Sequence, residues 1–254
     1  MNDRITFKHE FENGVEEDAY HWTNPDGSEG GIVAVTATVS AGVTISATAE
    51  VSPGADIESH AYVGYRARIG YRARIGNGTR IGSHALIGAH AFIGDHAFIG
   101  YRARIGNDTR IGSPALIGHD SRIGNYTRIE DHVHIGNYTR IGSHALSGAH
   151  AFIGDYAFIG SHAVFNFGDW LFTAGPQGSR GDTVSVIWSP GGGLRWWVGC
   201  QHGITTDALV ARIKAAHGSG PHAEDYLHLV RMVETHPGLA RAKAAHTAKE
   251  DANE

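Results

Sequence analysis

The stretch IGSHALIGAHAFIGDHAFIGYRARIG, Ile81 to Gly106, places an Ile-Gly pair every six residues without a slip. Followed outward in the same frame, an aliphatic residue recurs at Val33, Val39, Ile45, Val51, Ile57, Val63 and Ile69 and on to Ile159, with Ser147 standing in once. That makes 22 hexads with no insertion. With the aliphatic residue as position 1, Gly is commonest at position 2 and Ala or Thr at position 5. The period matches neither an amphipathic helix nor a plainly alternating strand. It matches a short strand and a corner, repeated, and a repeat at fixed period is the first thing a fold must satisfy.

Composition sets the outer bounds. The chain has 254 residues, 41% of them hydrophobic, enough for a sizeable core. A formal net charge of −5 gives no global basic field, so no nucleic-acid polymer is expected as a partner. A single cysteine, Cys200, excludes a disulfide framework and a cysteine-rich zinc site and fits a reducing cytoplasm. MNDRITFKHEFENG at the start has no apolar leader-like run, and no window approaches the roughly 18 apolar residues of a membrane span. No membrane partner is expected.

These hexads resemble the left-handed parallel β-helix of hexapeptide-repeat proteins, in which three hexads form one triangular coil. The resemblance implies that position 1 and position 5 point inward, so that IGSHAL buries Ile81 and Ala85 and exposes Ser83, His84 and Leu86. At about 4.8 Å per coil, about seven coils make a prism roughly 35 Å long. Hexapeptide prisms commonly form trimers.

Assigning hexads to the three faces in turn gives outward columns. One face carries Tyr62, Phe98, Leu116, His134 and Phe152 and reads as apolar. Another carries Arg68, Arg104, Arg122 and Arg140, interrupted by Leu86. An apolar stack of that length exceeds what a soluble monomer leaves in water, so a homotrimer burying Tyr62, Phe98, Leu116 and Phe152 is expected. Stacked arginines repel unless compensated. Either carboxylates of a neighbouring subunit or a bound anion compensates Arg104, Arg122 and Arg140.

Hexapeptide-repeat acyltransferases use a histidine as general base. Here His60, His84, His90, His96, His132, His144, His150 and His162 all share position 4, which argues against any one being singled out as a base. SHALIGAHAFIGDHAFIG (Ser83–Gly100) recurs as SHALSGAHAFIGDYAFIG (Ser143–Gly160), offset by 60 residues, which is not a whole number of 18-residue coils. The copies therefore fall on different faces. That points to duplication of a building block, and no catalytic residue is assigned.

The flanks differ from the prism. Residues 1–32 read as a cap, with strand-like RITFKHEF and turn-rich NPDGSEGG, over a prism at 33–165. Residues 166–238 read as a small domain with strands at 170–174, 183–189 and 194–200. A helix follows, N-capped by Thr205 or Thr206, with Ala208, Leu209, Ile213 and Ala216 on its buried side and Gly218 as its stop; a second has Pro221 in its first turn and Leu227, Val230 and Val233 inward. Residues 239–254 read as a flexible tail. GPQGSR (Gly175–Arg180), VGC with Gly203, AHG with His222 and Tyr226, and the entry DGSEGGIVAVTA resemble phage and prophage hexapeptide-repeat proteins with a small C-terminal β-β-β-α-α domain.

Within GPQGSR, Gly175 and Gly178 permit a compact turn whose N–H groups converge on an oxyanion, with Ser179 and Arg180 adding a hydroxyl and a planar fork. Arg195, Trp196 and Trp197 offer a stacking platform nearby. The alternative is a structural turn with Trp196 or Trp197 in the core. No P-loop spacing is present and no cofactor or metal is expected; Cys200, His217 and His222 read as packing and helix-end residues. Together these readings favour a non-enzymatic homotrimer in a bacterial host's cytoplasm. It would sequester a small anionic ligand, which the phage resemblance suggests is a nucleotide second messenger of antiviral immunity. An acyl-CoA-dependent acyltransferase and a ligand-free structural module are the rival readings.

Overall fold

The structure, a computed structural model, describes residues 5–11, 14–166, 169–177, 182–198 and 201–251. Strands β1 (Phe7–Glu10), β2 (Glu16–Thr23) and β3 (Glu29–Ala34) lead into 22 two-residue strands, β4 (Thr38–Val39) to β25 (Val164–Phe165). Every third strand pairs in parallel, and three sheets result. The chain is a left-handed parallel β-helix of about seven turns, mainly β, with helices near its C-terminus.

The hexad explains each corner. Position 1 and position 5 fill the interior, and Ile81 and Ala85 are fully buried. Where position 5 is Thr or Ser, its buried hydroxyl has a partner: Thr79, Thr109, Ser121, Thr127 and Thr139 donate to the carbonyls of Gly94, Gly124, Gly136, Gly142 and Gly154 at 2.8–3.1 Å. Position 2 is glycine because the coils stack there. A Cβ on Gly82 would lie 2.7 Å from the carbonyl carbon of Gly100.

Position 3 carries its own ladder. The carboxamides of Asn107 and Asn125 accept from the amides of Ala89 and Asn107, one coil earlier, at 2.9 and 2.8 Å. Position 4 is left-handed, with φ of 59° at His84 and 60° at His144. Histidine is enriched among non-glycine residues in this region. The backbone N–H of each donates nineteen residues back, to Tyr65 and Asn125 respectively. The histidine repeat is therefore a corner device.

Both prism ends are closed. The β1–β2–β3 hairpins extend one sheet past the first coil, where the Trp22 indole N–H donates to the Val43 carbonyl at 3.0 Å and the Asn24 carboxamide accepts from Ile45 N–H at 2.8 Å. At the far end, β26 (Trp170–Gln177), β27 (Asp182–Ser189), β28 (Gly193–Val198) and β29 (Gln201–Ile204) form an antiparallel sheet. Strand alternation divides it. Ile187 and Trp197 join the prism core, while Val184, Val186, Trp196 and Val198 pack under helices α1 (Thr206–His217) and α2 (Pro221–Glu234).

Several local expectations change. A fourth strand, β29, precedes the helices, and residues 237–251 form helix α3 (Pro237–Asp251) where a flexible tail was expected. Leu239 is buried at its start. Thr205 is the N-cap of α1, its hydroxyl accepting from Ala208 N–H at 3.3 Å, and Gly218 ends the helix. Ala216 is exposed, because the buried stripe of α1 is confined to Leu209 and Ile213; on α2, Leu229 is buried more deeply than Leu227. The two copies of the duplicated block fall on different faces: Leu86 pairs with Arg104 on one sheet, and Leu146 with Arg128 on another.

Candidate functional site

The outward mid-strand column on one face runs Glu50, Arg68, Leu86, Arg104, Arg122, Arg140 and Phe158. Arg104 stands directly opposite Arg122, and Arg122 opposite Arg140, in register. Beside this column, the prism corner brings up Arg66, His84, Arg102 and Asp120. Face and corner enclose a groove of about 470 Å³. Five guanidinium groups, those of Arg66, Arg68, Arg102, Arg104 and Arg122, line it against two carboxylates, Glu50 and Asp120. Arg140 lies one coil beyond.

Glu50 approaches Arg68 at 3.9 Å. Among the described residues, no carboxylate lies within 4.0 Å of Arg104, Arg122 or Arg140. Cations stacked at strand spacing, about 4.8 Å, destabilise the pairs that carry them. An anion reverses that sign, and a guanidinium is suited to it because its planar fork matches a phosphate or carboxylate with two parallel donors. The corner adds ring surface. Arg66 lies over the Tyr65 ring at 5.2 Å and Arg102 over Tyr101 at 5.0 Å, with His84 edge-on between the two tyrosines.

The apolar column is not uniform. Arg80 stands between Tyr62 and Phe98, because its hexad falls on that face. Tyr62, Phe98, Leu116 and Phe152 are all exposed, Phe152 at 72%. A third face lies outside the two columns that the sequence pattern brings forward. Its outward column runs Asp56, Arg74, Phe92, Arg110, Arg128, Leu146 and Val164. Counting by 18 from Asp56 would have found it.

The C-terminal candidates separate. Gly175 lies in β26, and Gly178, Ser179 and Arg180 fall outside the described residues. Trp196 is fully buried and donates its indole N–H to the Thr206 hydroxyl at 2.9 Å. Trp197, at 6% exposure, caps the prism. Neither ring offers a free face for stacking, since alternation along β28 sends one to each core. Arg195 is half-buried, opposite Ile187. At the same junction Asp169 accepts from Asn166 N–H at 2.7 Å, and burial raises its carboxyl above the ordinary 3.8.

Several position-4 histidines face one another or tyrosines: His132 stacks on His150 at 4.7 Å and His144 on His162 at 4.9 Å, while His60 and His96 lie against Gly42 and Gly78. Among the described residues, no group of three or more His, Cys, Asp or Glu side chains is placed to hold a metal ion. Among the described residues, no helix is long and apolar enough to cross a membrane.

A family described as the GMPPB C-terminal domain matches residues 39–131, within the prism. No curated protein matches the chain in sequence. Among solved structures, the chain is similar to perosamine N-acetyltransferase from Caulobacter crescentus in complex with CoA and GDP-perosamine. That match has 19% identity and a TM-score of 0.34, and covers 51% of this chain and 52% of that one, so the chain spans about half of that enzyme's length. It is also similar to Arabidopsis UDP-N-acetylglucosamine acyltransferase (14% identity, 81% and 96% covered, TM-score 0.32). A third similar structure is a hexapeptide transferase family protein from Anaplasma phagocytophilum (16%, 81% and 93%, TM-score 0.27). None of these similarities bears on what this chain binds.

Proposed function

We propose that the protein is a non-enzymatic homotrimer that holds a small, phosphate-bearing anion against the arginine face and releases it unchanged. The observation that carries this reading is the register of Arg104 on Arg122 on Arg140, with no carboxylate within 4.0 Å of them among the described residues. Such a ladder is electrostatically incomplete, and a ligand with several anionic oxygens completes it. The tyrosine and histidine rings of the adjoining corner favour a ligand that also carries a ring, as a nucleotide does. Trimerisation through Tyr62, Phe98, Leu116 and Phe152 would cover the apolar face and set a groove beside each neighbouring prism.

The resemblance of the C-terminal segment to phage proteins gives this chemistry a biological form, the sequestration of a nucleotide second messenger in the bacterial cytoplasm. A transferase reading would need one histidine set apart by its partners, and the corner geometry supplies the same left-handed setting to many. The test is a thermal-shift screen of the purified chain against cyclic nucleotides, ADP-ribose derivatives, acetyl-CoA and inorganic phosphate, with recovered ligands weighed by mass spectrometry. A stabilising nucleotide recovered intact supports the proposal. Stabilisation by acetyl-CoA alone, or a chemically altered ligand, would replace binding with catalysis.

A further inference from the structure

The third face holds a groove of about 810 Å³, larger than the one on the arginine face, and no part of the function proposed above uses it. Its floor is the column Arg74, Phe92, Arg110 and Arg128, in register on successive coils. Phe92 is 44% exposed, an aromatic ring set in water between a cation on the coil before it and a cation on the coil after it. At strand spacing the two arginine backbones lie roughly 10 Å apart across that ring. Arg72 and His90 rise from the adjoining corner, where Arg72 lies over Tyr71 at 4.9 Å and His90 meets the same ring edge-on at 5.6 Å.

The charges in this groove are not equivalent. Arg128 is paired with Glu130. Among the described residues, Arg74 and Arg110 have no carboxylate within 4.0 Å. Arg74 and Arg110, which bracket the exposed ring, thus lack a close carboxylate, as does Arg72 at the corner; Asp56 stands opposite Arg74 in register, and Asp131, also in the groove, accepts from Ser113 N–H at 2.8 Å. Hydrophobic surface and unpaired guanidinium groups both cost free energy in water, and one kind of ligand relieves both costs at once. It needs a planar ring to cover Phe92 and an anionic group within reach of Arg74 or Arg110.

We propose that this groove is a second binding site, independent of the arginine face, for a planar aromatic phosphomonoester of mononucleotide size. Phe92 stacks on the ring, Arg110 and Arg74 hold the phosphate, and the Arg128–Glu130 pair closes the far end without competing for the anion. A volume of this order suits a mononucleotide.

The probes are AMP, ribose 5-phosphate and adenosine, titrated calorimetrically into the full chain and into its Arg104→Gln/Arg122→Gln variant. The double variant removes the ladder on the arginine face, so that failure there and failure here read separately. The expected result is one AMP per chain that survives in the double variant, binding at least about fivefold more tightly than ribose 5-phosphate because of stacking. On that background, Phe92→Leu abolishes the preference for AMP and leaves ribose 5-phosphate unchanged, while Arg110→Gln weakens both about tenfold. Circular dichroism of each variant checks that the prism is intact. AMP binding that disappears with the double variant, or that is indifferent to Phe92→Leu and Arg110→Gln, would overturn the proposal. So would the absence of any AMP binding, as expected if a neighbouring subunit covers this face.

Discussion

The indole N–H of Trp197 donates to the carbonyl of Ser161 at 3.1 Å, and its ring lies against Gly160. This residue closes the last coil, which would otherwise expose backbone and apolar core. Trp197→Ala should therefore destabilise the chain by about 3–5 kcal/mol, the range for a large buried aromatic. Urea unfolding with hydrogen exchange checks it. Loss of amide protection should begin in the final coils and leave the middle of the prism protected.

Thr127 illustrates how the interior tolerates a polar atom. Its hydroxyl donates to the half-buried Gly142 carbonyl at 3.1 Å. Thr127→Val keeps the shape and removes the donor, leaving the carbonyl unsatisfied. A loss of about 1 kcal/mol is expected by denaturant unfolding, whereas the same substitution would be near neutral if the hydroxyl were idle.

The exposed rings of Phe98 and Phe152 predict assembly. In the homotrimer proposed above, Phe98→Lys/Phe152→Lys should sediment as a monomer while the far-ultraviolet spectrum stays that of a β-helix. The Lys at position 98 would also stand opposite Arg80, adding repulsion in the sheet. A variant that remains trimeric would move the interface to another face.

Asp169 predicts a pH dependence at the junction between prism and C-terminal sheet. Burial raises its carboxyl above 3.8, so the folded chain holds this proton more tightly than the unfolded chain does. Its contribution to stability is greatest below 3.8 and is lost as pH rises through the raised value. Asp169→Asn keeps an acceptor for Asn166 N–H and removes the titration. The variant should gain stability relative to the native chain as pH climbs from below 3.8 toward neutrality, as thermal unfolding across that range would show.

Much of the fold was legible because one constraint repeats. Ile at position 1 and Ala at position 5 must both point inward, and the hexad frame from Val33 holds without insertion, so coil, face and core follow from counting. The candidate site was legible in part for the same reason: Arg104, Arg122 and Arg140 are 18 residues apart. Arg80 and the Arg74–Phe92–Arg110 column obey the same count and needed only that every face be followed. The C-terminal end lacks such a rule. Alternation in β28 says that Trp196 and Trp197 point opposite ways, but not that a prism end lies on one side and helices on the other. Helix α3, in which alanines are interspersed with charged and polar residues, has no periodic apolar stripe to announce it.

The central claim is that Arg104 and Arg122 hold an anion between them, and the most direct measurement is calorimetric titration of the trimer with the nucleotide that emerges from the thermal screen. Native chain and Arg104→Gln/Arg122→Gln variant are compared at two salt concentrations. The predicted result is saturable binding by the native chain that weakens as salt rises and falls at least about a hundredfold in the double variant, as the removal of two charge-assisted hydrogen-bonding groups requires. Equal affinity in the two proteins would contradict the account and return the arginine ladder to a role between subunits.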